Sequence, residues 1–217
     1  MKTMLAVKDL NKSFDQVKVL ENLEFKVDKG EFVAIMGPSG SGKSTLLYCV
    51  SGMDNPDSGQ VALCGENIAN LNDKDLSNVR LKHMGFIFQQ SHLLKNLTIR
   101  DNIVLPGFKA GIHSREVVNQ SAEALMNKVG ITHIAHQDVR KVSGGQLQRA
   151  AICRALINQP DILFADEPTG ALNSSASKEV MDILNELNSE GTTIILVTHD
   201  AKVASRASRI VDRKSVV

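Results

Sequence analysis

The sequence predicts an α/β fold with a mixed, mostly parallel sheet, an N-terminal antiparallel β subdomain and an inserted α-helical subdomain. Short apolar runs that suit buried strands alternate with helical patterns along much of the chain. A glycine-rich segment at residues 37–45 joins one such run to a helix. Between residues 91 and 159 apolar residues recur at helical spacing with little β-patterning, which predicts a helical insertion between strands.

The length and composition bound the class of protein. We expect the 217 residues to form a single domain, 1–217, with a core and β subdomain at about 1–90 and 160–217 and a helical subdomain at about 91–159. Apolar residues make up 42% and charged residues 23%, as in ordinary globular proteins. The formal net charge of +1 provides no field that would attract nucleic acid, so none is expected as a partner.

Three cysteines, Cys49, Cys64 and Cys153, are scattered in apolar contexts and form neither a zinc pattern nor a disulfide framework. Met4–Val7 is too short for the apolar region of a signal peptide. No apolar run approaches the ~20 residues that a membrane-spanning helix needs. We therefore expect a cytoplasmic protein whose contact with a membrane is made only through a partner.

Residues 3–36 are predicted to form strands joined by turns, since Leu23, Phe25 and Val27 alternate with polar residues. Phe14 lies in a polar segment predicted to be a turn. An aromatic residue there is either a partly buried anchor or a stacking surface for a purine base, and the sequence leaves both readings open.

The most informative segment follows the apolar strand Phe32–Met36 and precedes a helix that begins near Lys43. The pattern Gly-x-x-x-x-Gly-Lys-Ser between a strand and a helix is typical of a phosphate-binding loop. Its glycines allow backbone N–H groups to converge on phosphate, Lys43 supplies an ammonium, and the Ser44 hydroxyl can bind Mg²⁺. The strand and helix that flank the loop disfavour a chance match. The predicted phosphate-binding residues are Gly37, Pro38, Ser39, Gly40, Ser41, Gly42, Lys43, Ser44 and Thr45.

Two later segments carry polar residues at the end of a strand or the start of a helix. Gly85–Phe88 is a short apolar strand that ends at Gln89, which either reaches a phosphate or metal-bound water or is an ordinary loop residue. Ser143 is a good N-cap for a helix, and Gly144 and Gly145 leave nearby N–H groups uncovered. This second segment is either another anion site or a capped surface helix.

Two carboxylates, Asp166 and Glu167, follow the apolar strand that begins near Asp161. In a phosphoryl-transfer site Asp166 would bind Mg²⁺ or its water, and Glu167 would orient or deprotonate the attacking water. A solvated acidic turn is disfavoured by the apolar strand directly before the pair. A further buried strand, Thr192–Thr198, delivers His199 to its carboxyl end, where ligands of parallel sheets collect.

In this order the motifs resemble the nucleotide-binding subunit of ATP-binding-cassette (ABC) transporters over nearly the whole chain, with a RecA-like P-loop NTPase core. The resemblance implies an ATPase that takes ATP and Mg²⁺. It implies that Phe14 stacks on adenine and that Ser44, Gln89 and Asp166 serve the Mg²⁺. It further implies that Glu167 is the general base and that His199 contacts the γ-phosphate and the attacking water.

The resemblance also implies partners. The signature residues Ser143, Gly144, Gly145 and Gln146 would contact ATP bound to the opposite subunit of a homodimer that closes on ATP. Closure and hydrolysis would drive integral membrane permease subunits, with the chain held at the inner face of the cell membrane. The segment His92–Leu97 is expected to line that contact.

Within the family, Phe86–Gln90 and Ala165–Asn173 look like the branch that serves lipoprotein release, macrolide export and antimicrobial-peptide export. Two positions depart from the family pattern. Val142 stands where leucine is usual, a change of packing, and Asn173 stands where aspartate is usual, which weakens any charge-dependent contact across the dimer.

Other functions remain compatible with these motifs. The alternative to an exporter subunit is a regulatory ATPase of a membrane complex that transports nothing, and the sequence does not separate the two. ATPases of DNA repair carry long coiled coils between the phosphate loop and the signature, and no sustained heptads occur here. We expect Arg209–Val217 to give one last strand and no regulatory domain.

Overall fold

The structure, a computed structural model, describes residues 2–212, so residues 213–217 of the predicted final segment lie outside it. The predicted fold class is confirmed. Two short 3-10 helices, Thr132–Ile134 and Val139–Lys141, precede the fifth helix. The strands are β1 (Thr3–Phe14), β2 (Val17–Asp28), β3 (Phe32–Met36), β4 (Ser58–Leu63), β5 (Glu66–Asn67), β6 (Met84–Phe88), β7 (Ile162–Asp166), β8 (Thr193–Thr198) and β9 (Arg209–Asp212). The helices are α1 (Lys43–Val50), α2 (Asp73–His83), α3 (Ile99–Ala110), α4 (Arg115–Lys128), α5 (Gly144–Leu156), α6 (Ser174–Ser189) and α7 (Ala201–Ala204).

The core sheet has the strand order β6-β7-β8-β3-β9, and its strands pair in parallel. Every residue of β7 and β8 is buried, because helices cover one face and the β subdomain with α1 covers the other. Successive side chains point to opposite faces of a strand. Phe164 and Ile195 therefore pack toward α1, whereas Leu163 and Ile194 pack toward α5 and α6.

The antiparallel sheet β2-β1-β4-β5 forms the β subdomain. The strand β1 extends to Phe14, which pairs with Val17 across a two-residue turn at Asp15 and Gln16. The prediction of a turn at Phe14 is therefore wrong. The polar residues before it occupy a half-exposed strand, and the reversal occurs at Asp15, whose φ of 51° is the left-handed conformation of a tight turn.

The helical region packs around its own core and joins the sheet through α5. The apolar face of α4 runs through Val118, Ala122 and Met126, while Val117 is exposed. On α5, Ile152 packs against the core sheet and Cys153 packs against the helical region. A Cβ at Gly85 of β6 would lie 2.6 Å from the carbonyl oxygen of Ala155, so α5 lies directly on this strand.

Within residues 2–212, no helix has both the length and the apolar character needed to cross a bilayer.

Candidate nucleotide-binding site

The carboxyl ends of four neighbouring core strands lie at one edge of the sheet. Phe88 is level with Asp166, Asp166 with Val197, and Met36 with Thr198. The residues that follow these strands are therefore brought together although they are far apart in sequence. This edge is where open parallel sheets bind ligands.

The predicted phosphate loop connects β3 to α1 and has the conformation that its glycines allow. Gly40 and Gly42 have φ values of 78° and 83°, which residues with a Cβ rarely adopt. Gly42 is the N-cap of α1 and has no side chain to cover the first N–H groups of the helix. The Lys43 side chain is buried, and its Nζ donates to the Pro38 carbonyl oxygen at 2.8 Å. The ammonium is thus held inside the loop, close to where a phosphate would meet the N–H groups.

A cleft of about 620 Å³ opens over this loop. It collects the loop, the glutamine that follows β6, and the carboxylate and imidazole that follow β7 and β8. Phe14 does not line it, although Val19 of the paired strand does. The lining residues are Val19, Ser39, Gly40, Gly42, Lys43, Ser44, Thr45, Gln89, Glu167 and His199.

Asp166 lies beneath the cleft with its carboxylate held on both sides. Its Oδ1 accepts from Ser44 Oγ and its Oδ2 accepts from Tyr48 OH, each at 3.0 Å. Burial raises the pKa of the Asp166 carboxyl, and the hydrogen bonds from Ser44 and Tyr48 oppose that rise. Burial also raises the pKa of the Tyr48 phenol, and the nearby Asp166 carboxylate adds to the rise. No sequence motif predicts Tyr48, although its position four residues after Ser44 places both hydroxyls on one face of α1.

The residues predicted to serve Mg²⁺ have oxygen atoms of the kind that this ion prefers. Ser44 Oγ and Asp166 Oδ1 lie side by side at the base of the cleft, and Gln89 borders it. A Cβ at Gly170 would lie 2.8 Å from Gln89 Nε2, so the glycine leaves room for this side chain. Residues 2–212 contain no cluster of three His, Cys, Asp or Glu side chains suited to a metal. The donor set fits an ion that takes its remaining ligands from phosphate and water.

Glu167 and His199 are in direct contact. His199 Nδ1 lies 2.7 Å from Glu167 Oε1, and Thr198 Oγ1 donates to Glu167 Oε2 at 3.1 Å. The Glu167 backbone has a φ of 47°, in the left-handed region. This conformation is energetically unfavourable for residues other than glycine and is often found at functional sites. Only 16% of the Glu167 side chain is exposed, against 63% for His199. The carboxylate is thus fixed at the cleft while the imidazole faces outward. The contact with Thr198 follows from the fold and has no sequence signal.

The signature turn caps α5 but does not join this cleft within one chain. Gln146 N donates to Ser143 Oγ at 3.3 Å, and Ser143 N donates to Gln146 Oε1 at 2.9 Å, which is a capping box. Ser143, Gly144 and Gly145 line a second cleft together with Asn173. The two clefts share no lining residue.

Asn173, the residue that departs from the family pattern, is the N-cap of α6. Its Oδ1 accepts from Ala176 N at 2.9 Å. An asparagine caps a helix as well as an aspartate does, so the change leaves the start of α6 intact and removes only a charge.

Helix α5 also holds the segment that follows Gln89. Gln148 Nε2 donates to the Phe88 carbonyl oxygen at 2.8 Å. The Arg154 guanidinium donates to the carbonyl oxygens of Ser91 and His92 at 2.7 and 2.8 Å. Burial lowers the pKa of Arg154. Neither side chain belongs to a sequence motif, and the signal that each gives is a polar residue among the apolar residues of the helix.

Phe14 ends β1 with 48% of its surface exposed, and Lys12 Nζ lies 5.1 Å from the centroid of its ring. This exposure does not suit a core anchor. The predicted stacking on a purine base stays a prediction.

A glycine-rich loop between β3 and α1, with a buried carboxylate at the end of another core strand, defines a P-loop nucleoside triphosphatase. A family profile described as "ABC transporter" matches residues 20–170. The uncharacterized ABC transporter ATP-binding protein YknY of Bacillus subtilis is 43% identical over 212 residues, which cover 96% of this chain and 92% of YknY. The macrolide export ATP-binding/permease protein MacB of Photorhabdus laumondii is 41% identical over 218 residues, which cover 99% of this chain and 34% of MacB. The chain thus spans about a third of the length of the MacB relatives that it matches.

Solved structures give the same result. The dimeric structure of MJ0796, a bacterial ABC transporter cassette, superposes with a TM-score of 0.89 at 38% identity, covering 96% of this chain and 94% of that one. A dimeric post-hydrolysis state of MJ0796 bound to ADP and Pi matches with a TM-score of 0.89 at 37% identity, with the same coverage of both chains. The chain belongs to the ABC transporter family. It is an ABC-type ATPase domain, as the motifs of the sequence predict.

Proposed function

We propose that the chain is the ATP-hydrolysing subunit of an ABC transporter that powers export of a peptide, lipoprotein or drug-like substrate through separate membrane subunits. The observation that carries this proposal is the fixed Glu167 carboxylate, held by His199 and Thr198, in the cleft above the phosphate loop. A general base has to lie within reach of the water that attacks the terminal phosphate.

The residues in and around the cleft then divide the work. The N–H groups of the loop and Lys43 bind the phosphates, and Phe14 stacks on adenine. Ser44, Asp166 and Gln89 would hold Mg²⁺, which when bound neutralises charge on the phosphates. Glu167 accepts a proton from the attacking water, and His199 keeps the carboxylate oriented and faces the terminal phosphate.

The working unit is a homodimer that forms when ATP binds. The signature turn is separated from the phosphate cleft within one chain, which supports a role for Ser143, Gly144, Gly145 and Gln146 at the nucleotide of the partner. The dimeric cassettes of MJ0796 are consistent with such an arrangement. Loss of the terminal phosphate removes contacts that favour the closed dimer, so hydrolysis biases a two-state element.

Permease subunits at the inner face of the cell membrane are the proposed partners. The MacB relatives are named ATP-binding/permease proteins, which supports a permease as the membrane partner of this ATP-binding domain. The names of these relatives favour an exporter over a regulatory ATPase that transports nothing. The membrane protein that co-purifies with the chain from native membranes distinguishes the two.

The test of the ATPase mechanism is the Glu167→Gln variant. The amide keeps the size of the side chain but cannot accept a proton, so hydrolysis should fall by at least about a hundredfold while ATP still binds. Phosphate release and nucleotide binding are measured on the purified protein. The control is Glu116→Gln, an exposed residue in the first turn of α4, which should hydrolyse ATP at the wild-type rate. Unchanged turnover in Glu167→Gln would remove this residue from the role of base.

A further inference from the structure

We propose that Tyr48 is a positioning residue for the Asp166 carboxylate. Its hydroxyl fixes Oδ2, so that Oδ1 stays beside Ser44, where the cation would bind. This inference rests on the proposed role of Asp166 in holding Mg²⁺. It adds a residue outside the motifs from which the function was inferred.

The geometry follows from helix periodicity. Ser44 and Tyr48 are four residues apart on α1, so their hydroxyl groups lie on the same face of the helix. That face meets the end of β7, and the two hydroxyls divide the carboxylate between them with one oxygen each, at 3.0 Å. The carboxylate therefore cannot rotate without breaking a hydrogen bond.

Tyr48 is itself held in place. Its ring packs against the core that contains Leu47 and Phe164. Its carbonyl oxygen accepts from Met53 N at 2.8 Å. Because only 7% of Asp166 is exposed, water has little access to replace a lost hydroxyl. Partners that orient a metal-binding side chain typically change metal affinity or activity by about 10- to 100-fold when they are removed.

The composition provides a direct readout of the contact. Tyr48 is the one tyrosine of the 217-residue sequence, which contains no tryptophan, so the tyrosine emission of the protein comes from this side chain. A carboxylate that accepts a hydrogen bond from the phenol quenches this emission. An amide oxygen is a weaker acceptor and therefore quenches it less. Without nucleotide or Mg²⁺, we therefore expect Asp166→Asn to emit at least about twice as strongly as the wild type.

The matched control is Asp161→Asn. Asp161 lies just before the other end of β7 and contacts His83 rather than Tyr48, so the emission of this variant should equal that of the wild type. Equal emission in the wild type and Asp166→Asn would overturn the proposal. So would an equal rise in Asp161→Asn. This comparison needs no ATPase activity, so it decides the contact even if the proposed function fails.

The functional test is Tyr48→Phe, which keeps the ring and removes only the hydroxyl. We expect the free Mg²⁺ concentration for half-maximal hydrolysis to rise about tenfold. At saturating Mg²⁺, the maximal rate and the KM for ATP should stay within about threefold of the wild type. Thr3→Val, which removes a hydroxyl-to-carboxylate hydrogen bond to Asp28 in the β subdomain, should leave the Mg²⁺ dependence unchanged.

An unchanged Mg²⁺ dependence in Tyr48→Phe would overturn the positioning role, as would a fall in maximal rate that excess Mg²⁺ does not restore. Circular dichroism and the melting temperature establish that each variant is folded. A wild-type protein that hydrolyses no ATP would instead overturn the proposed function.

Discussion

Among single residues, Lys43 gives the most direct test of the proposed phosphate binding. Its buried ammonium donates to one neutral acceptor, the Pro38 carbonyl oxygen, and a triphosphate offers charged oxygens in its place. Lys43→Ala should therefore weaken ATP binding by at least about tenfold, measured by calorimetry. Lys74→Ala, on the exposed surface of α2, is the control and should bind as the wild type does. Wild-type affinity in Lys43→Ala would contradict the assignment of the loop.

Phe14 offers a second test at this scale. Stacking of a base on an aromatic ring is worth about 1–3 kcal/mol, so Phe14→Ala should weaken ATP binding about tenfold. Its 48% exposure means that truncation removes little core packing, and the melting temperature should change by at most a few degrees. Val17→Ala, at 67% exposure on the neighbouring strand, should alter neither quantity. If only the melting temperature of Phe14→Ala fell, Phe14 would be a structural residue.

The residues in and around the cleft differ in how far sequence alone predicts them. The phosphate loop, Asp166 and Glu167 have types and spacings that follow from phosphate chemistry. Tyr48 and Thr198 do not, because a hydroxyl gains its role from the side chain that it meets in the folded chain. Partners that depend on tertiary contact leave no local pattern.

Among the elements, the buried strands were the easiest to predict. β7 and β8 are covered on both faces and are continuous apolar runs. The half-exposed end of β1 lacks that signal, and its polar residues favoured a turn at Phe14 instead. Helix α5 packs both on the sheet and in the helical region, and Gly85 allows its close approach to the sheet. A hydrophobic pattern does not reveal which partner each face of a helix contacts.

The contact between α5 and the segment after Gln89 gives the prediction at this scale. Arg154 donates to two carbonyl oxygens, those of Ser91 and His92, and hydrogen bonds from charged groups contribute more than neutral ones. Arg154→Met keeps the aliphatic stem but should lower the free energy of unfolding by about 2 kcal/mol. Amide hydrogen exchange in residues 88–93 should rise as well.

Arg140→Met is the matched control for this variant. Its guanidinium pairs with Asp138 at the surface, with 69% of the side chain exposed, and exposed pairs contribute little to stability. It should leave exchange in residues 88–93 unchanged. Equal exchange in Arg154→Met and the wild type would show that Arg154 does not hold this segment.

For the whole molecule, the sequence order of the motifs does not give their spatial order. The chain visits β3, β6, β7 and β8 in that sequence, yet the sheet places β8 between β7 and β3. That crossover puts Glu167 and His199 in contact and next to the phosphate loop. The apolar pattern establishes that these strands are buried, but their neighbours are set by packing over the whole sheet, which no single segment encodes.

The separation of the two clefts carries the last prediction, because in the proposed homodimer the signature turn meets the nucleotide of a second copy of the chain. A carboxylate at position 143 would face the phosphates of the partner's ATP, and like charges at close range repel. Ser143→Glu should therefore bind ATP with wild-type affinity as a monomer. In the Glu167→Gln background, where ATP persists, it should also fail to form the dimer seen by size-exclusion chromatography with light scattering.

Ser114→Glu provides the control for that experiment, since Ser114 is also an exposed N-cap, of α4, and its hydroxyl also accepts from the third residue of its helix. The Ser114→Glu variant loses the same kind of N-cap hydrogen bond, worth about 1 kcal/mol. Ser114 lies outside both clefts. It should dimerise with ATP as the Glu167→Gln parent does. A dimer of normal stability in Ser143→Glu would mean that the signature turn does not meet the partner's nucleotide, and the two-copy mechanism would then lose its basis.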